Sequence, residues 1–287
     1  MWMNKVKLIV TDMDGTFLGR QGMLLEENGA AFRQAAEAGI HIAFASGRLA
    51  CVLSHIAHTL GLPDCHIIGL NGAHVLSRPD GETLALHPLS ETNRQACLEI
   101  LHREACQYNL YTDEGLYTNR VLDDEAARAF RQRFAACHTV ALGPDAYRQA
   151  ARRPCVKFFV RAGADAAGYE RAREAIALLP GIELTSAAPG TFEIMPAGID
   201  KAGAVCHLAE SLNISMEEVM AFGDYDNDVA MLSACGCSVA MANATASARE
   251  AAACQTLSNV DGGVAYAVRQ MLAGKLDCLL KQNAIKE

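Results

Sequence analysis

The chain has 287 residues, 51% of them hydrophobic and 20% charged, with a formal net charge of −8. That length holds one large core or two domains, the composition is that of an ordinary globular protein, and the acidic balance disfavours nucleic acid or an anionic membrane as a partner. No apolar run approaches the ~18 residues of a membrane span, and Asp12 and Asp14 break the N-terminal apolar stretch too early for a signal peptide. Eleven cysteines, mostly in apolar or helical settings such as Cys51, Cys97, Cys206 and Cys254, read as reduced core residues. The expected location is therefore the cytoplasm.

The apolar run at 6–11 is continuous, as in a buried parallel strand. A helix is expected over 26–38, stopped by Gly39 in a left-handed conformation. A strand over 40–45 follows, then a helix with Leu49, Val52, Leu53, Ile56 and Leu60 on one face, ending at Gly61. A third strand over 66–70 leads into Asn71-Gly72-Ala73. This βαβαβ order implies right-handed crossovers and a parallel sheet.

Between about 83 and 189 the order is less uniform. Strands are expected at 84–87, 156–161 and 182–187, with an extended pair around Tyr111 and Tyr117, and helices over 91–106, 123–136 and 165–179. Gly, Pro and Asp mark both junctions, at Pro79-Asp80-Gly81 and Pro189-Gly190. The expectation is an α+β domain, residues 83–189, inserted into an α/β domain made of 1–82 and 190–287. That outer domain is expected to resume with a strand at 192–195 and a helix over 201–212 capped by Asp200. Strands at 219–222 and 238–241 then alternate with helices from Asn227, Ala246 and Gly263.

Two acidic motifs close two of the buried strands. Asp12-Met13-Asp14-Gly15-Thr16 follows the first, and Gly223-Asp224-Tyr225-Asp226-Asn227-Asp228 follows the strand at 219–222. Ligands of open parallel sheets bind at the carboxyl ends of the strands, so the two motifs can gather carboxylates from distant sequence into one cluster. Crowded carboxylates repel one another unless a hard cation sits between them, and oxygen donors of this kind suit Mg2+.

These residues resemble the haloacid dehalogenase superfamily of phosphohydrolases, and more narrowly its Cof-type branch (subclass IIB), which carries a large inserted cap. The first family motif has the form DxDGT, as at 12–16. The second is a Ser or Thr at a strand end, matched by Ser46 in Phe44-Ala45-Ser46-Gly47-Arg48. The third is a Lys at a helix start, matched by Lys201 in Gly198-Ile199-Asp200-Lys201, and the fourth, GDxxND, matches 223–228. All four occur in order, and the inserted domain lies where the family carries its cap, between the second and third.

The resemblance implies an α/β fold: a Rossmann-like core with a central parallel sheet flanked by helices, plus an inserted α+β cap. It implies a Mg2+-dependent phosphatase acting on a small phosphorylated metabolite through an aspartyl-phosphate, with sugar phosphates, pyridoxal phosphate and flavin mononucleotide as family precedents. Asp12 is then the nucleophile and Asp14 the general acid and base. Asp12, Asp224 and the backbone carbonyl of Asp14 would hold the metal, with Asp228 an outer ligand or an orienting group. Ser46 and Lys201 would contact the transferring phosphoryl group. Gly15 would let the backbone approach it closely. Gly47, Arg48, Asn71 and Asn227 complete the expected substrate side of the site, Asn227 by bonding within the cluster. Asp226 is expected to face solvent or cap the next helix. For Asn71 and Asn243 an ordinary turn role fits as well.

Other features carry less. His55 and His58 share a helix face but have no third metal ligand beside them. Cys235-Gly236-Cys237 lacks a partner pair, and Tyr111 and Tyr117 fit the core of a small sheet. A phosphotransferase or phosphomutase would share every motif, differing only in the acceptor. A non-enzymatic ligand-binding α/β domain would leave the paired Asp12 and Asp14 unexplained. A dehalogenase lacks the second aspartate of the first motif, and a P-type ATPase needs membrane spans. The inserted domain has the makings of a hinged lid, and the oligomeric state is left open.

Overall fold

The first apolar run becomes strand β1 (Leu8–Thr11), buried along its whole length. The structure, a computed structural model, describes residues 6–150, 152–163, 165–185 and 190–276. Helix α1 (Glu26–Glu37) ends at Gly39, whose φ of +83° is the left-handed stop expected there. Strand β2 (His41–Ala45), helix α2 (Ala50–Thr59) and strand β3 (His66–Gly69) complete the βαβαβ unit, with both strand pairs parallel. Strand β4 (His74–Leu76) turns back antiparallel on β3, and β5 (Thr83–Leu86) follows at the sheet edge. β4 escapes the sequence reading because three residues are too few to show a period.

The second stretch builds its own sheet and core. It contains α3 (Glu91–Arg103), β6 (Gln107–Tyr111), β7 (Gly115–Thr118), α4 (Asp124–Arg133), β8 (Thr139–Leu142), the short α5 (Ala146–Gln149), β9 (Lys157–Arg161), α6 (Ala166–Ala177), β10 (Ile182–Thr185) and β11 (Thr191–Pro196). The sheet order is β10-β11-β9-β6-β7-β8, antiparallel except for the β7–β8 pair. Alternation decides its faces. Tyr108, Leu110, Phe158, Val160, Phe192 and Ile194 point to one side and form a core with α3 and α6 residues such as Leu101 and Ile176. Their sequence neighbours, among them Asn109, Phe159, Arg161 and Glu193, line the other side.

β11 corrects an expectation. The run at 192–195, expected to begin the returning outer domain, lies between β9 and β10 in this second sheet. Gly190, which precedes it, is a turn residue within the unit, and the chain leaves the unit only after Ile199. Compositional punctuation marks turns of both kinds, so it misplaces the boundary. The expected end of the 182–187 strand, at 186 and 187, and Pro189 itself lie outside the described residues.

The chain then returns to the first sheet through α7 (Lys201–Ser211), β12 (Val219–Gly223), α8 (Val229–Ala234), β13 (Cys237–Ala240), α9 (Ala246–Ala251), β14 (Cys254–Gln255) and α10 (Gly263–Leu272). Two compact units result: Met1–Leu84 with Asp200–Glu287, and Ala85–Ile199. The eight-stranded sheet of the first unit has the order β14-β13-β12-β1-β2-β3-β4-β5. The chain advances one way from β1 to β3 and the other way from β12 to β14. β1 and β12, paired in parallel, are therefore the point where the strand order switches and a crevice opens at the carboxyl edge.

A core of Phe17, Phe32 and Phe44, with ring centroids 4.9 and 5.2 Å from Phe17, braces the loop after β1 against α1 and β2. Buried Asn28 ties that loop to two helices. Its amide donates to Phe17 O at 2.7 Å and its oxygen accepts from Ala265 N at 2.9 Å. Among the described residues, no helix is long and apolar enough to cross a membrane.

Candidate active site

Asp12 and Asp224 are the first residues past the ends of β1 and β12, and both are buried. Asp12 N donates to Phe222 O at 3.0 Å, which carries the β1–β12 pairing up to the site itself. Lys201 opens α7, where a cation opposes the helix dipole. Asp200 caps that helix by accepting from Gly203 N at 2.8 Å. The lysine is held there by charge: its ammonium lies 2.6 Å from Asp12 Oδ1 and 2.7 Å from Asp228 Oδ1, with all three residues buried. Burial opposes the charge on Lys201, but Asp12 and Asp228 outweigh it and hold the ammonium above its ordinary range.

Asp228 is fully committed. Its second oxygen accepts from the backbone N–H groups of Asp224 and Tyr225, at 3.0 and 3.1 Å. This closes the loop after β12 on itself and aims Asp224 at the crevice. Asp224 in turn accepts from the Thr16 hydroxyl at 2.6 Å, a contact that joins the first motif to the fourth. Thr16 stands inside the first motif, but the sequence alone gives its hydroxyl no partner.

Oxygens of Asp12, Asp224 and Asp228 all lie within 4.8 Å of one another. Burial, against the pull of Lys201, pushes the Asp12 carboxyl up to about 8, with repulsion from Asp228 and Asp224 adding to it. Burial likewise lifts Asp224 to about 6, against its bond from Thr16. Two of the three carboxylates bond to the one ammonium, so with all three ionised the cluster lacks two positive charges. Hard oxygen donors with that deficit fit a divalent cation such as Mg2+.

Gly15 has a different reason for being glycine than the one expected. Its φ is +87°, and a Cβ there would overlap the Asp224 carboxylate. The residue makes room for Asp224 as well as for any ligand. Asn243, for which a turn role fitted as well, donates to Gly15 O at 2.8 Å and accepts from Asn259 N at 2.9 Å. It pins the loop after β13 to the first motif; no spacing rule in a single sequence distinguishes it from a turn asparagine.

Asp14 stands at the rim, its side chain 60% exposed, and both of its oxygens are taken by Arg48, at 2.6 and 2.8 Å. Those bonds hold the guanidinium above its ordinary range despite partial burial. Ser46, buried at the end of β2, accepts from Arg48 N at 3.3 Å. Asn71 N donates to Ser46 O, and Asn71 Oδ1 accepts from Asn227 Nδ2 at 3.3 Å. Asn227 thus bonds to the loop after β3, not to the carboxylates. Gly47 lies against the Asn71 side chain, and Gly72 against the backbone of Asp200 at the start of α7. Asp226 is exposed and accepts from Thr245 and Ser247 at the start of α9. His58 pairs with Asp80 at 2.9 Å, and Tyr117 belongs to the core of the second unit.

A family model for haloacid dehalogenase-like hydrolases matches residues 9–268. The fold, the switch-point crevice and the four ordered motifs agree with it, and the chain belongs to this family of hydrolases. Its class is that of the phosphoric monoester hydrolases. The chain is 30% identical over 292 residues to phosphatase YwpJ of Bacillus subtilis, covering 93% of this chain and 100% of that protein. It is 28% identical over 265 residues to the 5-amino-6-(5-phospho-D-ribitylamino)uracil phosphatase YcsE of the same organism, covering 92% of this chain and 95% of that protein. A solved structure of a haloacid dehalogenase-like hydrolase from Bacteroides thetaiotaomicron superposes with a TM-score of 0.83 at 26% identity, over 93% of this chain and 100% of that one.

Proposed function

We propose that the protein is a Mg2+-dependent phosphatase that hydrolyses a small phosphorylated metabolite through an aspartyl-phosphate on Asp12. The observation that carries this is the Asp12–Lys201 pair, 2.6 Å apart and buried at the point where the strand order of the sheet switches. Asp12 Oδ1 is engaged by the ammonium, so the other oxygen is the one to attack phosphorus. The lysine offsets charge on both the nucleophile and the incoming phosphoryl oxygens. Asp12, Asp224 and the backbone carbonyl of Asp14 would hold Mg2+, which when bound supplies the missing positive charge and polarises the phosphoryl group. Asp228 positions Lys201 and the loop bearing Asp224.

Asp14 gives the leaving oxygen its proton and later takes one from water. For that, its carboxyl must leave Arg48, and an arriving phosphate is a competing partner for the same guanidinium. Ser46 donates to a phosphoryl oxygen, with Gly15, Gly47, Asn71 and Asn227 shaping the loops around it. We assign to the second unit the selection of the non-phosphate part of the substrate, as the cap of such an enzyme. The cytoplasmic location expected from the cysteines belongs to the same reading.

The test is phosphate release across a panel of metabolites with Mg2+ and with EDTA. The panel includes 5-amino-6-(5-phospho-D-ribitylamino)uracil, the compound in the name of YcsE, together with sugar phosphates, pyridoxal phosphate and flavin mononucleotide. Metal-dependent release of phosphate to water is expected. Transfer to a second organic acceptor in place of water would make the protein a phosphotransferase, and undiminished turnover in EDTA would remove the metal from the account.

A further inference from the structure

Three asparagine amides hold the backbone of the first-motif loop from different directions. Asn243 donates to Gly15 O at 2.8 Å, Asn28 to Phe17 O at 2.7 Å and Asn259 to Leu18 O at 2.8 Å. They stand in the loop after β13, in α1 and just before α10. Asn28 is buried, where an unmet carbonyl is costly, so its amide answers a need of the fold. Asn243 is exposed and has water as an alternative partner. Even so, both ends of its side chain are spent on backbone: the amide on Gly15 O, and Oδ1 on Asn259 N at 2.9 Å.

The loop that carries Asn243 shows what this holds in place. β13 lies next to β12, and β12 next to β1, so Asn243 reaches past the strand of Asp224 to the loop that follows β1. The same loop also bonds the fourth motif. Met241 N donates to Gly223 O at 3.2 Å, and Thr245 N to Asp224 O at 2.8 Å. Residues 241–245 thus grip both loops that bear the carboxylates of the cluster, and Asn243 supplies the bond to the first motif.

The pinned peptide, between Gly15 and Thr16, is a sensitive one. Gly15 lies so close to the Asp224 carboxylate that a Cβ would overlap it. Thr16 donates its hydroxyl to that same carboxylate at 2.6 Å. The carbonyl one peptide earlier is that of Asp14, assigned above to the metal. Glycine has more backbone freedom than any other residue, so the bond on its carbonyl restrains the turn that joins Asp14 to Thr16.

We propose that Asn243 is a positioning residue for the metal site: by holding Gly15 O it keeps the Asp14 carbonyl and the Asp224 carboxylate in place for Mg2+. Its bonds are to Gly15 and Asn259, not to a carboxylate of the cluster, so it acts through Gly15 and Thr16. The inference rests on the Mg2+ part of the phosphatase reading. Mg2+ demands near-ideal geometry from its oxygen ligands, and small displacements of those ligands therefore cost affinity.

The experiment uses the intact chain and the variants Asn243→Leu, Asn243→Gln and Asn259→Leu. Mn2+ binding to the substrate-free protein is read from the free-ion signal in electron paramagnetic resonance, with Mg2+ as competitor. Urea denaturation without metal gives the stability of each protein. Asn243→Leu should weaken the binding of both ions by about tenfold or more, at a denaturation midpoint close to that of the unaltered chain, since an exposed hydrogen bond adds little to folding. Asn243→Gln keeps an amide on a longer stem and should recover part of the loss. Asn259→Leu removes the amide on Leu18 O but keeps the backbone N–H that Asn243 accepts, and should bind both ions nearly as the unaltered chain does. Unchanged affinity in Asn243→Leu would overturn the proposal. So would an equal loss in Asn259→Leu, which would make the effect a general loosening of the loop. An unaltered chain that binds neither ion would remove the metal reading and this inference with it, a failure visible without any variant. Should Asn243→Leu fold poorly, Asn243→Ser takes its place with the same expected loss.

Discussion

The carboxylate cluster of the first unit and the open sheet face of the second treat buried polar groups differently. In the first, three carboxylates and one lysine from three separate stretches of chain meet at the carboxyl edge of a parallel sheet, and every described oxygen of Asp228 is bonded. In the second, the open face of a mostly antiparallel sheet leaves Arg161 Nε and Asn109 Oδ1 without partners. The first arrangement suits chemistry that is the same for every phosphate ester; in the proposed reading, the second unit selects what the ester carries.

The comparison breaks most visibly at Asp12. Asp12→Asn removes the nucleophile at nearly constant volume, so steady-state hydrolysis of p-nitrophenyl phosphate should fall by at least about a thousandfold while the circular dichroism spectrum is retained. Near-normal turnover would move the nucleophile elsewhere. Lys201→Met should be the most damaging change to the fold. It leaves Asp12 and Asp228 as buried carboxylates without their cation, a loss of about 3–5 kcal/mol measurable as a lower denaturation midpoint, with activity lost as well. A stable and active Lys201→Met would mean that the carboxylates do not depend on it.

Proton linkage sharpens the same point. In the metal-free protein the Asp12 carboxyl is raised to about 8 and that of Asp224 to about 6, from 3.8 for each. A raised acid stabilises the fold fully below its unfolded value, and that stability is lost as pH rises through the folded value. The melting temperature of the metal-free protein should therefore decline between about pH 4 and pH 8. Mg2+ competes with those protons, so the rise in melting temperature on adding Mg2+ should be larger at pH 8 than at pH 6. An equal rise at both would detach the carboxylates from the metal. The smallest effect is expected for Thr16→Val, which removes only the hydroxyl bonded to Asp224. Apparent Mg2+ affinity should weaken by about tenfold, read from activity against Mg2+ concentration.

Much of the first unit is legible in the chain itself. Continuous apolar strands, Gly39 after α1 and Asp200 before α7 each place an element, and the motifs fall at strand ends where a parallel sheet must put them. What stays hidden depends on three-dimensional partners. Gly15 looks like a phosphate-loop glycine until Asp224 is seen against it, Arg48 bonds to Asp14 across the strand-end loops, and Thr16 and Asn243 acquire roles only from what they touch. β11 is misassigned because a strand's residues show that it is a strand, not which sheet it joins. The unmatched Arg161 is harder still, since an arginine reads the same in sequence with or without a partner.

The central claim is that Asp12 carries the phosphoryl group. Rapid quenching of the enzyme with a phosphomonoester and Mg2+, reduction of the acyl phosphate with borohydride and peptide mapping by mass spectrometry test it most directly. The account predicts that the reduced product, homoserine, appears at position 12 and is absent when Mg2+ is withheld. Modification at another residue, or full turnover with no trapped group at position 12, would contradict it.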